Sequence, residues 1–241
     1  MSQRINCFIP YGDETQTKET ILNLKKDALV GKIYLLNAGE KGRCALEGCE
    51  VVDVPSLKNT EAMKKIAERA DADFTLLYTK ESKLEWVHFA LERMVNIAED
   101  SGAAMIYADH FNVIDGVRSF APVIDYQMGS LRDDFDFGSV LLYRTSAFKE
   151  AVSRMNINYQ FAALYDLRLK VSQKGVLEHM NEYLYYEVEM DTRKSGEKLF
   201  DYVDPKNRAV QIEMEQACTE HLKEIGGFLK PEFTHIEFSN D

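Results

Sequence analysis

Residues 70–85 read ADADFTLLYTKESKLE, a short apolar run that stops abruptly at a polar tip. Phe74 to Tyr78 has the bulky, uninterrupted apolar character of a buried strand. Ser82 and Glu85 satisfy the S-x-x-E pattern that opens helices, because serine can satisfy a free backbone N–H while the glutamate reaches back to another. The stretch therefore predicts a strand ending in Tyr78, Thr79, Lys80 and Glu81, then a helix over about Lys83 to Asp100. In α/β sheets ligands bind at the carboxyl edge, where loops splay apart and helix N-termini point outward. The tip at 78–82 is the first candidate site.

The flanking sequence places that strand in a series. Ile5 to Pro10 reads as a first buried strand, followed by the turn Tyr11-Gly12-Asp13 and a helix to about Leu29 that Gly31 ends. Lys32 to Leu36 is a second strand leading into the loop Asn37-Ala38-Gly39, and Glu50 to Val54 is a third. Thr60 can cap a helix with Ala62, Met63, Ile66, Ala67 and Ala70 at three-and-four spacing. Leu84, Val87, Leu91, Met94, Val95 and Ala98 form one stripe of the next helix, and Gly102 stops it. Strands alternating with helices are the mark of parallel βαβ units, so the fold class is α/β and residues 1–102 form a nucleotide-binding half of doubly wound type.

Beyond Gly102 the rhythm changes. Ala103 to Ala108 and the run to Val117 predict a strand and a hairpin at Asp115-Gly116, with antiparallel pairing. Gly138 to Tyr143 is strand-like, and Asp133, Asp134 and Asp136 lie just ahead of it. Thr145 or Ser146 caps a helix to about Met155, a second helix spans roughly Tyr159 to Lys174 up to Gly175, and Glu182 to Met190 is a further strand. Asp204-Pro205 reads as an N-cap with proline at the first helical position, opening a helix that Gly226-Gly227 closes. This acceptor-side half covers about 103–203 and the last helix about 204–227, giving one unit over 1–230. Residues 231–241 read as a tail or as the lead into a second domain.

Composition narrows the function classes. The formal charge of −11 argues against a nucleic-acid binder, which needs a basic surface to displace counterions. Cys7, Cys44, Cys49 and Cys218 lack the paired spacing of a zinc site and read as free thiols in a reducing compartment. No stretch approaches a membrane span and Met1 to Pro10 lacks the pattern of a signal peptide, so the expectation is a soluble cytoplasmic protein without a transmembrane segment.

A family resemblance rests on the order of these pieces across roughly residues 4 to 190. The Pro10-Tyr11 loop after the first strand, ADADFTLLYTKES, GSVLLYRTSAF, YDLRLKVSQKG and EYLYYEV together resemble the GT-A domain of family 2 glycosyltransferases. The resemblance implies a Rossmann-like mixed sheet flanked by helices. It also implies transfer of a sugar, with inversion, from a nucleotide-diphosphate donor to a carbohydrate acceptor such as a surface polysaccharide. Nucleotide-sugar contacts would fall to Pro10, Tyr11, Asn37, Thr79, Lys80 and Glu81. A Mg2+ or Mn2+ ion on the diphosphate is implied too, with Glu81 and Asp109 as candidate ligands.

The family's acids are exchanged at each diagnostic position. The acidic pair expected after the second strand reads Asn37-Ala38, although asparagine still offers both a donor and an acceptor to a base edge. The Asp-x-Asp of the central tip reads Thr79-Lys80-Glu81, where one carboxylate beside a lysine is a poor cage for a divalent ion and Lys80 can itself neutralise phosphate. The position of the general base is apolar, in Ala163-Leu164-Tyr165-Asp166. Candidate catalytic acids are then Asp134, Asp136 and Asp166, because inverting transfer needs a base beside the acceptor hydroxyl. For Asp134 the alternative is a solvated loop acid paired with Arg132, for Asp109 a strand-end turn residue, and for Asp166 a helix-scaffold residue. Two other classes stand beside the transferase. One is a GT-A-like module without catalysis, attached to a second transferase domain. The other is a nucleotidyltransferase, against which PYGDET speaks because it is no glycine-rich, lysine-bearing phosphate loop.

Overall fold

The structure, a computed structural model, describes residues 3–38, 46–189, 208–232 and 234. Its first part follows the alternation in the sequence. β1 (Ile5–Pro10), α1 (Glu14–Leu24), β2 (Val30–Ala38), β3 (Glu50–Val54), α2 (Thr60–Arg69) and β4 (Phe74–Tyr78) come in that order. β1 lies between β2 and β4, β3 flanks β2, and all these pairs are parallel. The carboxyl ends of four strands therefore share one edge. Asp13 opens α1 by accepting from the Gln16 N–H at 3.0 Å. The cap of α2 is Asn59, whose side chain accepts from the Glu61 N–H at 2.7 Å, so Thr60 is the first helical residue and not the cap.

The chain departs from expectation at the tip itself. No helix opens at Ser82: residues Lys83–Trp86 form β5, and the helix α3 (Ala90–Ser101) begins later, ending at Gly102 in the left-handed conformation. The Ser82 hydroxyl is hydrogen-bonded to the Tyr78 hydroxyl at 2.8 Å, and the Leu84 N–H donates to Thr20 on α1. Leu84 is buried. The pattern S-x-x-E is local, whereas burial of Leu84 and the sheet bonds of β5 come from distant residues; the latter prevail. Likewise α1 ends at Leu24, and Gly31 lies inside β2.

The second part is built of β6 (Met105–Ile114), β7 (Val117–Ala121), β8 (Val140–Arg144), α4 (Thr145–Ser153), α5 (Ala163–Ser172), β9 (Leu177–Glu189) and α6 (Arg208–Glu224). Strands join in the order β3-β2-β1-β4-β8-β6-β9-β5, with β7 paired to β6 through the Asp115-Gly116 hairpin, giving a nine-stranded mixed sheet. β8 runs antiparallel to β4, with Tyr78 opposite Val140. β6 is parallel to β9, and β9 is antiparallel to β5. One face packs under α1 and α3 around Phe74, Leu76, Leu91 and Leu142. The other packs under α2, α4 and α5 around Phe8, Leu77, Tyr143 and Phe148. A smaller cluster of Tyr159, Leu169 and Ala217 fastens α6 onto α5. Asp204-Pro205 and residues 235–241 lie outside the described residues.

Candidate functional site

The shared carboxyl edge gathers several residues that the sequence singled out. Pro10 ends β1, and the Tyr11 N–H donates to the Leu36 carbonyl at 2.9 Å, which holds the first loop against β2. Glu81 folds back over the same loop. A Cβ built on Gly12 would lie 2.7 Å from the Glu81 Cβ and 3.1 Å from its Oε2, so only glycine lets the two segments approach so closely. Asn37, near the end of β2, donates to Asp53 at 2.8 Å, while its amide oxygen is buried with no hydrogen-bond partner among the described residues. Buried polar groups are nearly always paired, so this open acceptor marks the end of β2.

Thr79 opens onto a cavity of about 340 Å3 whose walls include Asp136, Phe137, Gly138, Leu164, Tyr165 and Met214. This lies within the range of about 300–1,000 Å3 usual for small-molecule sites. The Thr79 hydroxyl and N–H both donate to the Ser139 carbonyl, joining the end of β4 to the start of β8. The rim ahead of β8 is held from α5. Arg168 donates to the carbonyls of Ser130 at 2.9 Å and Arg132 at 2.6 Å, and the Tyr165 hydroxyl donates to the Leu131 carbonyl. The Arg168 guanidinium also lies over Tyr165, Tyr126 and Phe137. These two supports stand three residues apart in YDLR, a spacing that puts them on one helix face. The sequence displayed that face without revealing its target.

The acids separate by environment. Asp134 is 67% exposed, and Arg132 grips it with two hydrogen bonds of 2.9 Å, which hold its carboxyl below the usual range. Asp136 stands on the cavity wall and accepts from the Gly138 N–H at 2.8 Å. Asp166 is buried beside Lys170 at 3.3 Å, and Lys170 in turn reaches Glu224 of α6 at 3.0 Å. Burial raises the Asp166 pKa against the pull of Lys170. Its place between two helices is that of a scaffold ion pair. Asp109 is only 2% exposed and accepts from the Val123 N–H at 2.8 Å, with His179 at 3.0 Å between it and Asp125.

The residues at the tip do not fit a divalent ion. Such an ion needs several oxygen ligands, yet Thr79 is turned onto Ser139, and Lys80 brings an ammonium to the position. Among the described residues no three His, Cys, Asp or Glu side chains gather where they could hold a metal, and Glu81 and Asp109 do not join in such a group. Lys80 instead pairs with Glu187 of β9, inside the strand expected over Glu182 to Met190.

No family model matches the chain, and no curated protein matches its sequence. Solved structures do match. S. aureus TarS 1-349 in complex with UDP-GlcNAc aligns with a TM-score of 0.59 at 12% identity, covering 93% of this chain and 73% of that one. The complex with UDP gives 0.56 at 10% identity over 93% and 72%. This is a GT-A-like fold, a mixed sheet flanked by helices. In a further TarS 1-349 structure the match spans 60% of that chain, and in a longer TarS chain it spans 37%. The GT-A-like fold thus extends through both halves of the sheet, and at this identity the likeness carries the architecture alone.

Proposed function

We propose that this chain is a glycosyltransferase that binds a nucleotide-diphosphate sugar, UDP-GlcNAc or a similar donor, across the carboxyl ends of β1, β2 and β4. The acceptor, a surface polysaccharide or related glycan, enters the cavity beside Thr79. In this reading Pro10, Tyr11 and Asn37 face the nucleoside, while Thr79, Lys80 and Glu81 face the diphosphate. Asp136 is the base: its carboxylate takes the acceptor proton as that oxygen bonds the anomeric carbon and the bond to the diphosphate breaks. The observation that supports the reading most is the cavity, which opens at the central strand's carboxyl end on a fold shared with a protein solved with UDP-GlcNAc and UDP. No helix among the described residues is long and apolar enough to cross a membrane, and the proposed compartment is the cytoplasm, where nucleotide sugars are available.

Calorimetric titration with UDP- and GDP-sugars, with and without Mn2+, tests donor binding. Turnover of Asp136→Asn tests the base: binding should persist, while transfer falls by about 10²-fold or more. Equal turnover in the variant would remove Asp136 from the mechanism. A second reading is favoured by Leu164, which puts an apolar side chain on the cavity wall where the resemblance expects a carboxylate. In it the chain is a non-catalytic GT-A-like module beside a second transferase domain, and donor binding without any turnover would select it.

A further inference from the structure

We propose that Lys80, latched to the buried carboxylate of Glu187, is the cation that receives the donor diphosphate, so that nucleotide binding needs no divalent metal ion. The inference rests on the nucleotide-sugar reading above and goes beyond it by assigning the counter-charge. A departing nucleoside diphosphate gathers negative charge that a site must meet with fixed positive groups. Glu81 alone would repel it. Lysine supplies a point charge with three donors on a flexible stem, and here that stem is 48% exposed while its partner Glu187 is 1% exposed.

The surroundings of Glu187 are unusual for a simple structural ion pair. One carboxylate oxygen meets Lys80, and the other is buried with no hydrogen-bond partner among the described residues. Buried polar groups are nearly always paired, so one left open asks for a reason. The nearest candidate is His110 of β6, whose Nε2 stands 3.8 Å from that oxygen, just outside hydrogen-bond range. The His110 ring is stacked on Tyr185 at 5.0 Å and 3°, which fixes its plane. When Lys80 turns outward to a diphosphate, the vacated carboxylate has His110 beside it to donate. Glu187 is thus a positioning residue that keeps the ammonium at the tip next to Thr79, and His110 is the donor that stands beside the carboxylate when Lys80 leaves it.

Calorimetry on the whole chain with UDP and UMP as probes, in EDTA and in Mn2+, tests this. UDP affinity should be the same within about twofold in both buffers. Lys80→Ala should weaken UDP by about tenfold or more, the scale of a charged hydrogen bond, and leave UMP nearly unchanged, a difference that a purely structural lysine would not produce. The double variant Lys80→Met with Glu187→Gln removes both charges together; it should melt like the parent and bind UDP as poorly as Lys80→Ala. Binding that requires Mn2+ and ignores Lys80→Ala would overturn the metal-free assignment and leave the transferase reading standing. Absence of UDP and UDP-sugar binding in every arm would overturn both.

Discussion

Gly138 shows how much of the site depends on a single backbone position. Its φ of +72° belongs to the left-handed region, and a Cβ there would meet the Tyr185 hydroxyl, with the Ala108 carbonyl and the His110 Nδ1 each 3.4 Å away. That hydroxyl accepts the Ser139 N–H at 2.9 Å, and burial pushes its pKa up to about 12, so it stays a neutral phenol. Gly138→Ala would therefore combine backbone strain with a steric clash, and denaturant unfolding should show a loss of roughly 2–4 kcal/mol. Gly116→Ala is the control: φ is +79° in the β6–β7 hairpin but nothing lies within 4 Å of the new methyl, so only about 1 kcal/mol should be lost. Equal losses would refute the close approach of Tyr185. At this scale the sequence was partly legible. RDDFDF exposes its acids, and the solvated loop with Asp134 paired to Arg132 is what the structure has. The partner of Lys80 is 107 residues away, and no local pattern points to it.

Among elements, legibility followed the range of the forces. β1, β3 and β4 have the bounds the sequence predicts; β1 and β4, buried along nearly their whole length, write that length in their composition, while in β3 Val52 and Val54 are buried between exposed residues. β5 was misread as helix because its S-x-x-E signal is short-range and its pairing with β9 is not. The start of α5 was misplaced for a similar reason. The helix begins at Ala163 rather than near Tyr159, and the three N–H groups of Gln160, Phe161 and Ala162 donate to Glu213 of α6 at 3.0, 2.7 and 3.2 Å. A carboxylate from a distant helix thus holds the approach to α5, close to its favourable dipole end. Glu213→Ala would leave these donors to water and loosen α6, and a destabilisation of about 1–2 kcal/mol is expected from unfolding curves. Glu213→Gln retains acceptor oxygen without charge and should lose less. An unchanged midpoint in Glu213→Ala would show that α6 is fastened by its apolar contacts alone.

For the molecule as a whole, the sheet ties both halves together: β4 of the parallel half pairs antiparallel with β8 of the mixed half, and the cavity opens beside that junction. The parallel half is legible as alternation and the second half only as a change of rhythm: antiparallel pairing is found for β6 with β7 and β8, but β6 and β9 run parallel, because the order of β8, β6, β9 and β5 depends on contacts between distant segments. If donor binding belongs to the strand ends and the acceptor to the cavity, the two can be separated by filling the cavity. Leu164 is half-buried on the cavity wall, away from β1 and β2. Leu164→Trp should place its added bulk in open space, so stability is expected to hold within about 1 kcal/mol. UDP should still stabilise the variant, by about 2.7 kcal/mol at a hundred times its Kd, as any native-state ligand does. Transfer to a glycan acceptor should fall, while hydrolysis of the donor by water continues. Thermal melts with UDP and a parallel assay of transfer against hydrolysis read the two effects. Loss of UDP stabilisation in Leu164→Trp would move the nucleotide itself into the cavity, and unchanged transfer would move the acceptor out of it.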